Sequence, residues 1–339
     1  MLQARTTREA AKNAFFIALL GFLLAAAPVS AQQPAIGLVV FGDSLSDTGN
    51  VFALERRTGL FGIERPNNTP PDYQLDFLLV PDAPYPRGGH NLTNGAPWVQ
   101  VLARSLGLAA NAAPAFRSDN PRATNYAVDR ARARDVDENI DLPDQVNRFL
   151  QDFGGSAPAQ ALYVIEIGGS DIRDALFGVL QAQDPNVILA QALQSIADNI
   201  SALYVAGARK FLVWNVANIA LTPSVRIADT QLFPNLGVAA LAETLTQVFN
   251  ANLETLLTTL EAGLPGIEIV RFDLYATVNN IISNPAAFGL TNVIAPCITP
   301  SVPPFTCRRP DEYFFWDGAH PTKVVHAIVA QQIEALLAQ

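Results

Sequence analysis

The sequence predicts an α/β protein built on a parallel sheet, because short apolar segments alternate with longer amphipathic segments. The short segments are rich in β-branched residues, which is typical of strands that are buried on both faces. Strands that alternate with helices form βαβ units, and their right-handed crossovers place helices on both faces of the sheet. The segments predicted as strands are residues 36–41, 123–128, 161–167, 211–216 and 266–272.

The first predicted strand leads into the segment with the clearest functional pattern. The strand stops at Gly42, and Gly42-Asp43-Ser44 then turns the chain toward a helix predicted to reach residue 56. Ser44 therefore lies at the carboxyl end of a strand, the edge where open α/β sheets bind ligands. Its own N–H group and the positive end of the helix would favour an oxyanion there. From this segment alone, capping of the helix by Ser44 is an equally good interpretation.

Residues 1–31 have the pattern of a secretory signal peptide. Three basic residues precede the apolar segment 15–28, and small residues precede a predicted cleavage site after Ala31. An uncleaved membrane anchor is the alternative, although the apolar segment is shorter than the ~20 residues that a span needs. The mature chain is then expected to be one secreted or periplasmic domain, residues 32–339, with no further segment that spans a bilayer.

The later helices are predicted from their amphipathic spacing and their ends. They cover residues 142–153, 186–206, 239–260 and 322–337. Between the first two predicted strands, residues 58–90 are rich in proline, glycine and asparagine, which indicates an irregular excursion over the surface. Such excursions often form substrate walls in α/β enzymes.

The composition argues against nucleic acid or an anionic membrane surface as a partner. The chain has 22 basic and 31 acidic residues, a formal net charge of −9, and no basic tract. We expect no metal and no other cofactor, because the sequence has neither a cluster of metal ligands nor a phosphate-binding glycine loop. We expect a monomer that acts on a small-molecule or lipid substrate.

Two cysteines, Cys297 and Cys307, bracket a short proline-rich loop. Export of the chain would favour a disulfide between them. A zinc site is the weaker alternative, because no histidine lies near either cysteine in the sequence.

The histidines identify a candidate base for Ser44, since a serine hydroxyl needs a base and that base needs an orienting group. The chain has three histidines: His90, His320 and His326. His320 follows Asp317 by three residues, so one tight loop can bring the carboxylate against the imidazole. His326 is expected in a structural or surface position within the last helix. His90 lies in the proline-rich excursion, where we expect a solvated or substrate-wall role.

Three segments resemble sequence blocks of the GDSL esterase/lipase family, the SGNH hydrolases. They are G-D-S-L-S-D-T-G-N at residues 42–50, the segment 84–103, and D-x-x-H before the final helix. The resemblance implies a three-layer α/β/α sandwich with five parallel strands, similar to flavodoxin. It also implies an esterase that works through an acyl-enzyme, with Ser44 as nucleophile, His320 as general base and then acid, and Asp317 as the orienting carboxylate.

Two further blocks depart from the family pattern, and both concern the oxyanion hole. The family builds that hole from the serine N–H, a glycine N–H and an asparagine side chain. Here I-G-G-S-D puts Ser170 at the asparagine position, and N-Y-A-V-D-R-A puts Asp129 at the glycine position. Ser44, Asp129 and Ser170 are therefore the expected oxyanion-hole residues. A hydroxyl replaces the amide. An acidic side chain also lies beside the developing negative charge, which is unfavourable unless it points away or is paired, for example with Arg130 or Arg132.

These departures leave three functions open. The first is a secreted carboxylic ester hydrolase with altered oxyanion geometry. The second is a non-catalytic protein that binds esters or glycans on the same fold. The third is an acyltransferase or thioesterase with the same triad. The complete set of Ser44, Asp317 and His320 favours an active enzyme.

Overall fold

A computed structural model provides the structure of the chain. The residues that it describes are 37–51, 53–54, 91–117, 120–136, 139–298 and 307–339. The predicted signal peptide and most of the proline-rich excursion, including His90, lie outside these residues. None of the helices in the described ranges combines the length and the hydropathy that a membrane span requires.

A sheet of four parallel strands forms the centre of the described structure, in the order β1-β2-β3-β4. The strands are β1 (Leu38–Gly42), β2 (Leu162–Glu166), β3 (Lys210–Trp214) and β4 (Glu268–Phe272). Their register aligns Leu38 with Leu162, Leu162 with Lys210 and Lys210 with Glu268. All four strands therefore end at the same edge of the sheet, close to the turn that carries Ser44.

The second of the five predicted strands, residues 123–128, is an irregular segment instead. It lies beside β1, where the Thr124 carbonyl accepts a 3.0 Å hydrogen bond from the Val40 N–H and the Tyr126 N–H donates to the Val40 carbonyl at 2.7 Å. The segment forms a single bridge with β1, between Val40 and Asn125. Asn125 is also bridged to the loop on its other side, so its backbone is divided between two neighbours. The segment occupies the place of a fifth strand without continuing as one.

Helices cover both faces of the sheet. They are α1 (Trp98–Ser105), α2 (Leu142–Asp152), α3 (Gly169–Leu180), α4 (Pro185–Ala206), α5 (Pro223–Ile227), α6 (Val238–Gly263), α7 (Leu274–Ser283) and α8 (Lys323–Leu337). Short 3₁₀ or π-helical turns lie at Ala115–Arg117, Ile219–Leu221, Ala228–Leu232, Pro285–Phe288 and Pro310–Glu312. The helix predicted to follow Ser44 directly begins only at residue 50, so Ser44 itself lies in a turn.

Two apolar cores flank the sheet, because successive strand side chains point to opposite faces. Val39 and Phe41 of β1 belong to the core that packs against α2, α3, α4 and α6. Leu38 and Val40 belong to the core that packs against α1, α7 and α8. The predicted three-layer α/β/α arrangement is therefore confirmed, with four strands in place of five.

The predicted disulfide is present in the structure. Cys297 and Cys307 are joined, with their Cα atoms 5.4 Å apart. The Cys297 N–H donates to the Phe315 carbonyl at 2.9 Å, and the next residue donates to the Trp316 carbonyl at 3.0 Å. Residues 297–298, at the start of the disulfide loop, are therefore bound to the two residues that directly precede Asp317.

Candidate active site

The turn that carries Ser44 is fixed by contacts to the sheet edge. Gln145 of α2 accepts from the Gly42 N–H and donates to the Gly42 carbonyl, both at 2.9 Å. A Cβ atom at Gly42 would lie 2.5 Å from the Glu166 carbonyl oxygen, so a side chain there would displace the neighbouring strand. The Leu45 N–H donates to Asp43 Oδ1 at 3.1 Å, which closes the turn around Ser44. Ser44 is left half-buried at the carboxyl end of β1.

The rest of the G-D-S-L-S-D-T-G-N run holds this turn against the irregular segment beside β1. Asp47 is fully buried. Its carboxylate accepts hydrogen bonds of 2.6–3.0 Å from the N–H groups of Gly49, Asn50, Val51 and Asp129. The Asn50 amide donates to the carbonyls of Asn125 and Ala127, both at 2.8 Å. Asp47 and Asn50 of this run therefore have structural roles.

Asp317 and His320 are in direct contact. His320 Nδ1 lies 2.8 Å from Asp317 Oδ2, and Asp317 has no exposed surface. Asp317 Oδ1 accepts from the N–H groups of Ala319 and His320 at 2.8 and 2.7 Å. An ionised Asp317 in this position holds the proton on Nδ1 and leaves Nε2 as the basic atom of the imidazole.

Two further contacts support the loop that contains this pair. The Trp316 N–H donates to the His320 carbonyl at 2.8 Å, so the loop closes on itself. Ser224, at the start of α5, donates to the Gly318 carbonyl from both its N–H (3.0 Å) and its hydroxyl (2.7 Å). The contact between Asp317 and His320 therefore forms within a loop that α5, a helix distant in the sequence, holds in place.

Ser44 and His320 line the same cavity, which has a volume of about 160 Å³. Asp129 and Ser170 line it as well, and Asp317 is connected to it through His320. Much of the remaining wall is apolar, with Leu45, Leu176, Val216, Ile219, Val225 and Leu274. The structure therefore brings the residues predicted for the triad and the oxyanion hole around one cavity.

Ser170 lies at the N-terminus of α3, directly beside this cavity. The backbone hydrogen bonds of α3 begin with the Ile172 N–H, which donates to the Gly168 carbonyl at 3.0 Å. The preceding N–H groups of Gly169 and Ser170 lie where a helix favours negative charge. Gly168 has a φ of 123°, and a Cβ atom there would lie 2.8 Å from Phe249, so the sharp entry into α3 requires glycine. Sequence reasoning identified Ser170 but missed the helix N-terminus that carries it.

The geometry at Asp129 differs from a simple glycine replacement. The Asp129 N–H donates to Asp47 Oδ2 at 3.0 Å, and its carboxylate lies 3.8 Å from Arg130 Nε. Arg130, and not Asp129, has the left-handed backbone conformation, with a φ of 62°. This conformation is costly for a residue with a Cβ atom. The bond to Asp47 counts against the Asp129 N–H as an oxyanion donor, and that role stays a prediction.

Glu166, the last residue of β2, is a cavity residue that sequence reasoning missed. It is 5% exposed, and its Oε2 accepts a 2.8 Å hydrogen bond from the Ser46 hydroxyl, which in turn accepts from Trp98 Nε1 at 3.0 Å. Its carboxyl group also hydrogen-bonds that of Asp43, the residue before the candidate nucleophile. The signal in the sequence was a charged residue at the end of the apolar strand L-Y-V-I-E.

Burial shifts the proton affinity of both members of this carboxyl pair. Desolvation raises the pKa of Asp43 to about 6, and a hydrogen bond from the Leu45 N–H and the charge of His320 oppose the shift. Desolvation and the neighbouring charge of Asp43 raise the pKa of Glu166 well above its usual value. The folded protein therefore binds protons at this pair more tightly than two separate, solvated carboxyl groups would.

Asp171, the aspartate after Ser170, has a structural role. It accepts from the Ala133 N–H at 2.7 Å and from Arg134 Nε at 2.8 Å. These bonds join the segment that follows Asp129 to the start of α3. They set the position of the part of the cavity wall that contains Asp129 and Ser170.

The sequence predicts a structural or surface position for His326 in the last helix. Trp98 and His326 are buried and line a second cavity, whereas Trp316 packs on the disulfide. Within the described ranges, no group of three or more His, Cys, Asp or Glu residues is arranged to hold a metal ion.

Comparison with known proteins finds relatives over nearly the whole chain. A family model described as GDSL-like Lipase/Acylhydrolase matches residues 38–333. Three GDSL esterases/lipases of Arabidopsis thaliana are each 28% identical to this chain, over 332, 324 and 323 residues. Each alignment covers 87% of this chain, and they cover 82%, 87% and 87% of the three relatives.

Proposed function

Since this chain belongs to the GDSL-like lipase/acylhydrolase family, we propose that it hydrolyses carboxylic esters through a serine nucleophile and an acyl-enzyme. The observation that carries the proposal is the shared cavity of Ser44 and His320, together with the 2.8 Å contact between His320 and Asp317. A non-catalytic binder on this fold would not need a base that is oriented in this way.

The first half of the proposed reaction forms the acyl-enzyme. Ser44 Oγ attacks the ester carbonyl carbon while its proton passes to His320 Nε2, and the carbonyl oxygen becomes an oxyanion. When the tetrahedral intermediate collapses, the bond to the alcohol oxygen breaks. The imidazolium then gives its proton to the departing alcohol, and Asp317 stabilises the imidazolium between these steps.

The second half regenerates Ser44. A water molecule gives one proton to His320 Nε2 and attacks the acyl carbon, which forms a second oxyanion. The bond to Ser44 Oγ then breaks, the imidazolium returns a proton to that oxygen, and the carboxylic acid is released. Proposed donors to both oxyanions are the Ser44 N–H, the N–H groups at the start of α3 and the Ser170 hydroxyl.

We also propose that the protein is exported by means of residues 1–31. The disulfide between Cys297 and Cys307 supports this location, because such bonds persist in oxidising compartments. N-terminal sequencing of the protein recovered from the periplasm or medium tests it, with Gln32 expected as the first residue.

The hydrolysis of p-nitrophenyl butyrate by purified protein tests the proposed function. We expect Ser44→Ala to lower kcat by about 10⁴-fold or more, with no loss of folded structure. Ser105→Ala, on the exposed end of α1, is the matched control and should retain the wild-type rate. Wild-type turnover in Ser44→Ala would refute the assignment of the nucleophile, and no hydrolysis of any ester by the wild type would refute the function.

A further inference from the structure

A second cavity, of about 60 Å³, lies next to the catalytic one. The two cavities share five wall residues: Leu45, Ala217, Thr222, Leu274 and Ala319. Leu45 directly follows the candidate nucleophile, and Ala319 directly precedes the candidate base. The partition between the cavities is therefore built from the immediate neighbours of Ser44 and His320.

The second cavity has apolar walls that belong to the core between the sheet, α7 and α8. Six of its wall residues are Trp98, Trp214, Val278, Phe314, Val325 and Val329. Protein interiors are packed so closely that voids larger than a water molecule are few, and apolar voids take up apolar ligands. A space of this kind next to a catalytic cavity suits a hydrocarbon group.

The polar groups of the second cavity carry no charge. Thr222 donates to the Ile219 carbonyl at 2.7 Å, and the Asn218 side chain bonds the Ala220 N–H and Glu243, both at 3.2 Å. Burial lowers the pKa of His326 to about 3, so its imidazole is neutral. The indole N–H of Trp214 has no acceptor among the described residues. The lining therefore disfavours a charged ligand and admits a neutral one.

We propose that the second cavity binds the distal end of the substrate's acyl chain, which passes Leu45 to reach it. This inference rests on the proposed esterase function. The acyl chain stays attached to Ser44 through both halves of the reaction, whereas the alcohol must leave before water can attack. An apolar site next to the cavity that contains Ser44 therefore suits the acyl half of the ester better than the alcohol half.

The inference defines a substrate class. Preferred substrates are esters of neutral, unbranched acyl chains that are long enough to fill the catalytic cavity and extend past Leu45. Acetate esters are too short to use the second cavity. An acyl chain that ends in a carboxylate would bury a charge beside neutral His326 and is expected to be a poor substrate.

Two substitutions in the cavity wall, one on α7 and one on α8, should change the length of acyl chain that the cavity accepts. Val278→Phe fills the cavity from α7, and Val329→Ala enlarges it from α8. The assay is kcat/KM for the p-nitrophenyl esters of acetate, butyrate, hexanoate, octanoate and decanoate. We expect Val278→Phe to lower the ratio for decanoate over butyrate by about tenfold or more, because hydrophobic pockets discriminate by such factors per methylene group. Val329→Ala should shift the optimum toward longer chains.

The control for added bulk is Val205→Phe on α4, where the valine is 85% exposed. It should leave the whole chain-length profile unchanged. If Val278→Phe fails to fold, Val278→Leu adds less volume at the same position and should shift the optimum in the same direction by a smaller factor. Thermal unfolding of each variant identifies those that are folded.

A second series separates the two halves of the substrate. Alkyl acetates with alcohols of increasing length are hydrolysed in a pH-stat by the wild type and by Val278→Phe. The inference predicts that Val278→Phe leaves the alcohol preference unchanged. A shift in alcohol preference, or identical acyl profiles in folded Val278→Phe, Val329→Ala and wild type, would overturn it. Hydrolysis that depends on Ser44 would survive either result, so the inference can fail while the proposed function stands.

Discussion

The proposed triad and the proposed oxyanion hole lie on two sides of one cavity, and these two sides are built in different ways. Asp317 and His320 are three residues apart, and one loop brings their side chains to 2.8 Å. On the oxyanion side, Asp129 is bonded to Asp47 across 82 positions, and Ser170 depends on the entry into α3. A short sequence pattern is thus enough to specify the first side. The second side depends on contacts between distant segments, which a short sequence pattern does not specify.

Asp317→Asn is expected to impair the proposed triad strongly. The substituted amide would favour the wrong tautomer of His320, so Nε2 would no longer accept the proton of Ser44. We expect kcat to fall by about 10⁴-fold on p-nitrophenyl butyrate, with KM changed little. A fall of less than tenfold in a folded variant would show that Asp317 does not orient the base.

The oxyanion side should respond in the opposite direction to an added donor. We predict that Ser170→Asn raises kcat by up to about 10²-fold, because the amide reaches further than the hydroxyl toward the developing charge. The gain should appear mainly in kcat, since that charge exists only in the transition state.

The competing possibility is that Ser170 and Arg130 are adapted to each other, in which case the longer amide lowers the rate. The kcat values of wild type, Ser170→Asn and Ser170→Ala on one ester separate these cases. Equal values for all three would show that position 170 contributes nothing to the oxyanion hole.

Removal of the disulfide tests how far the loop that contains Asp317 and His320 depends on the neighbouring residues 297–298. The disulfide closes a loop between residues 10 positions apart, which corresponds to somewhat under ~3 kcal/mol on the chain-entropy estimate. We predict that Cys297→Ser combined with Cys307→Ser lowers the free energy of unfolding by about 2–3 kcal/mol and changes kcat much less. Urea unfolding and ester hydrolysis measure the two effects. Two free thiols in the denatured, non-reduced wild type would contradict the pairing.

The carboxyl pair under Ser44 predicts a smaller effect, on pH dependence. Since the folded state raises the pKa of Asp43 from 3.8 to about 6, the folded protein binds this proton more tightly than the unfolded chain. Stability should therefore be greatest below the unfolded pKa and fall as pH rises through about 6. Other titratable or charged groups near Asp43 could also contribute to this pH dependence. They are His320 and Asp171, whose charges act on Asp43, and Asp129, Arg130 and Arg173, which line the same cavity.

Glu166→Gln isolates the contribution of this pair. The amide can still donate to Asp43 and accept from Ser46, but it cannot ionise and adds no negative charge beside Asp43. We predict a shallower loss of stability with rising pH, by about 1 kcal/mol between pH 4 and pH 8, in urea unfolding curves. Parallel curves for Glu166→Gln and wild type would show that the pair holds no extra proton.

The sequence predicted those features of the fold and the site that depend on nearby residues. The turn at Ser44, the spacing of Asp317 and His320, and the helices α4 and α8 follow from local patterns. Residues 123–128 have the composition of a short strand, since four of the six are apolar, but the Asn125 backbone is divided between β1 and a loop. Glu166 lies 120 positions from Ser46, and no local pattern indicates such a contact.

Covalent labelling with a fluorophosphonate tests whether Ser44 is a nucleophile activated by His320. Intact mass and peptide mass spectrometry locate the adduct, and the labelling rate is compared for wild type, Asp317→Asn and His320→Ala. The structure predicts one adduct on the peptide that contains Ser44, absent in Ser44→Ala and formed much more slowly in the other two variants. An adduct on a different serine, or a labelling rate that does not depend on His320, would contradict it.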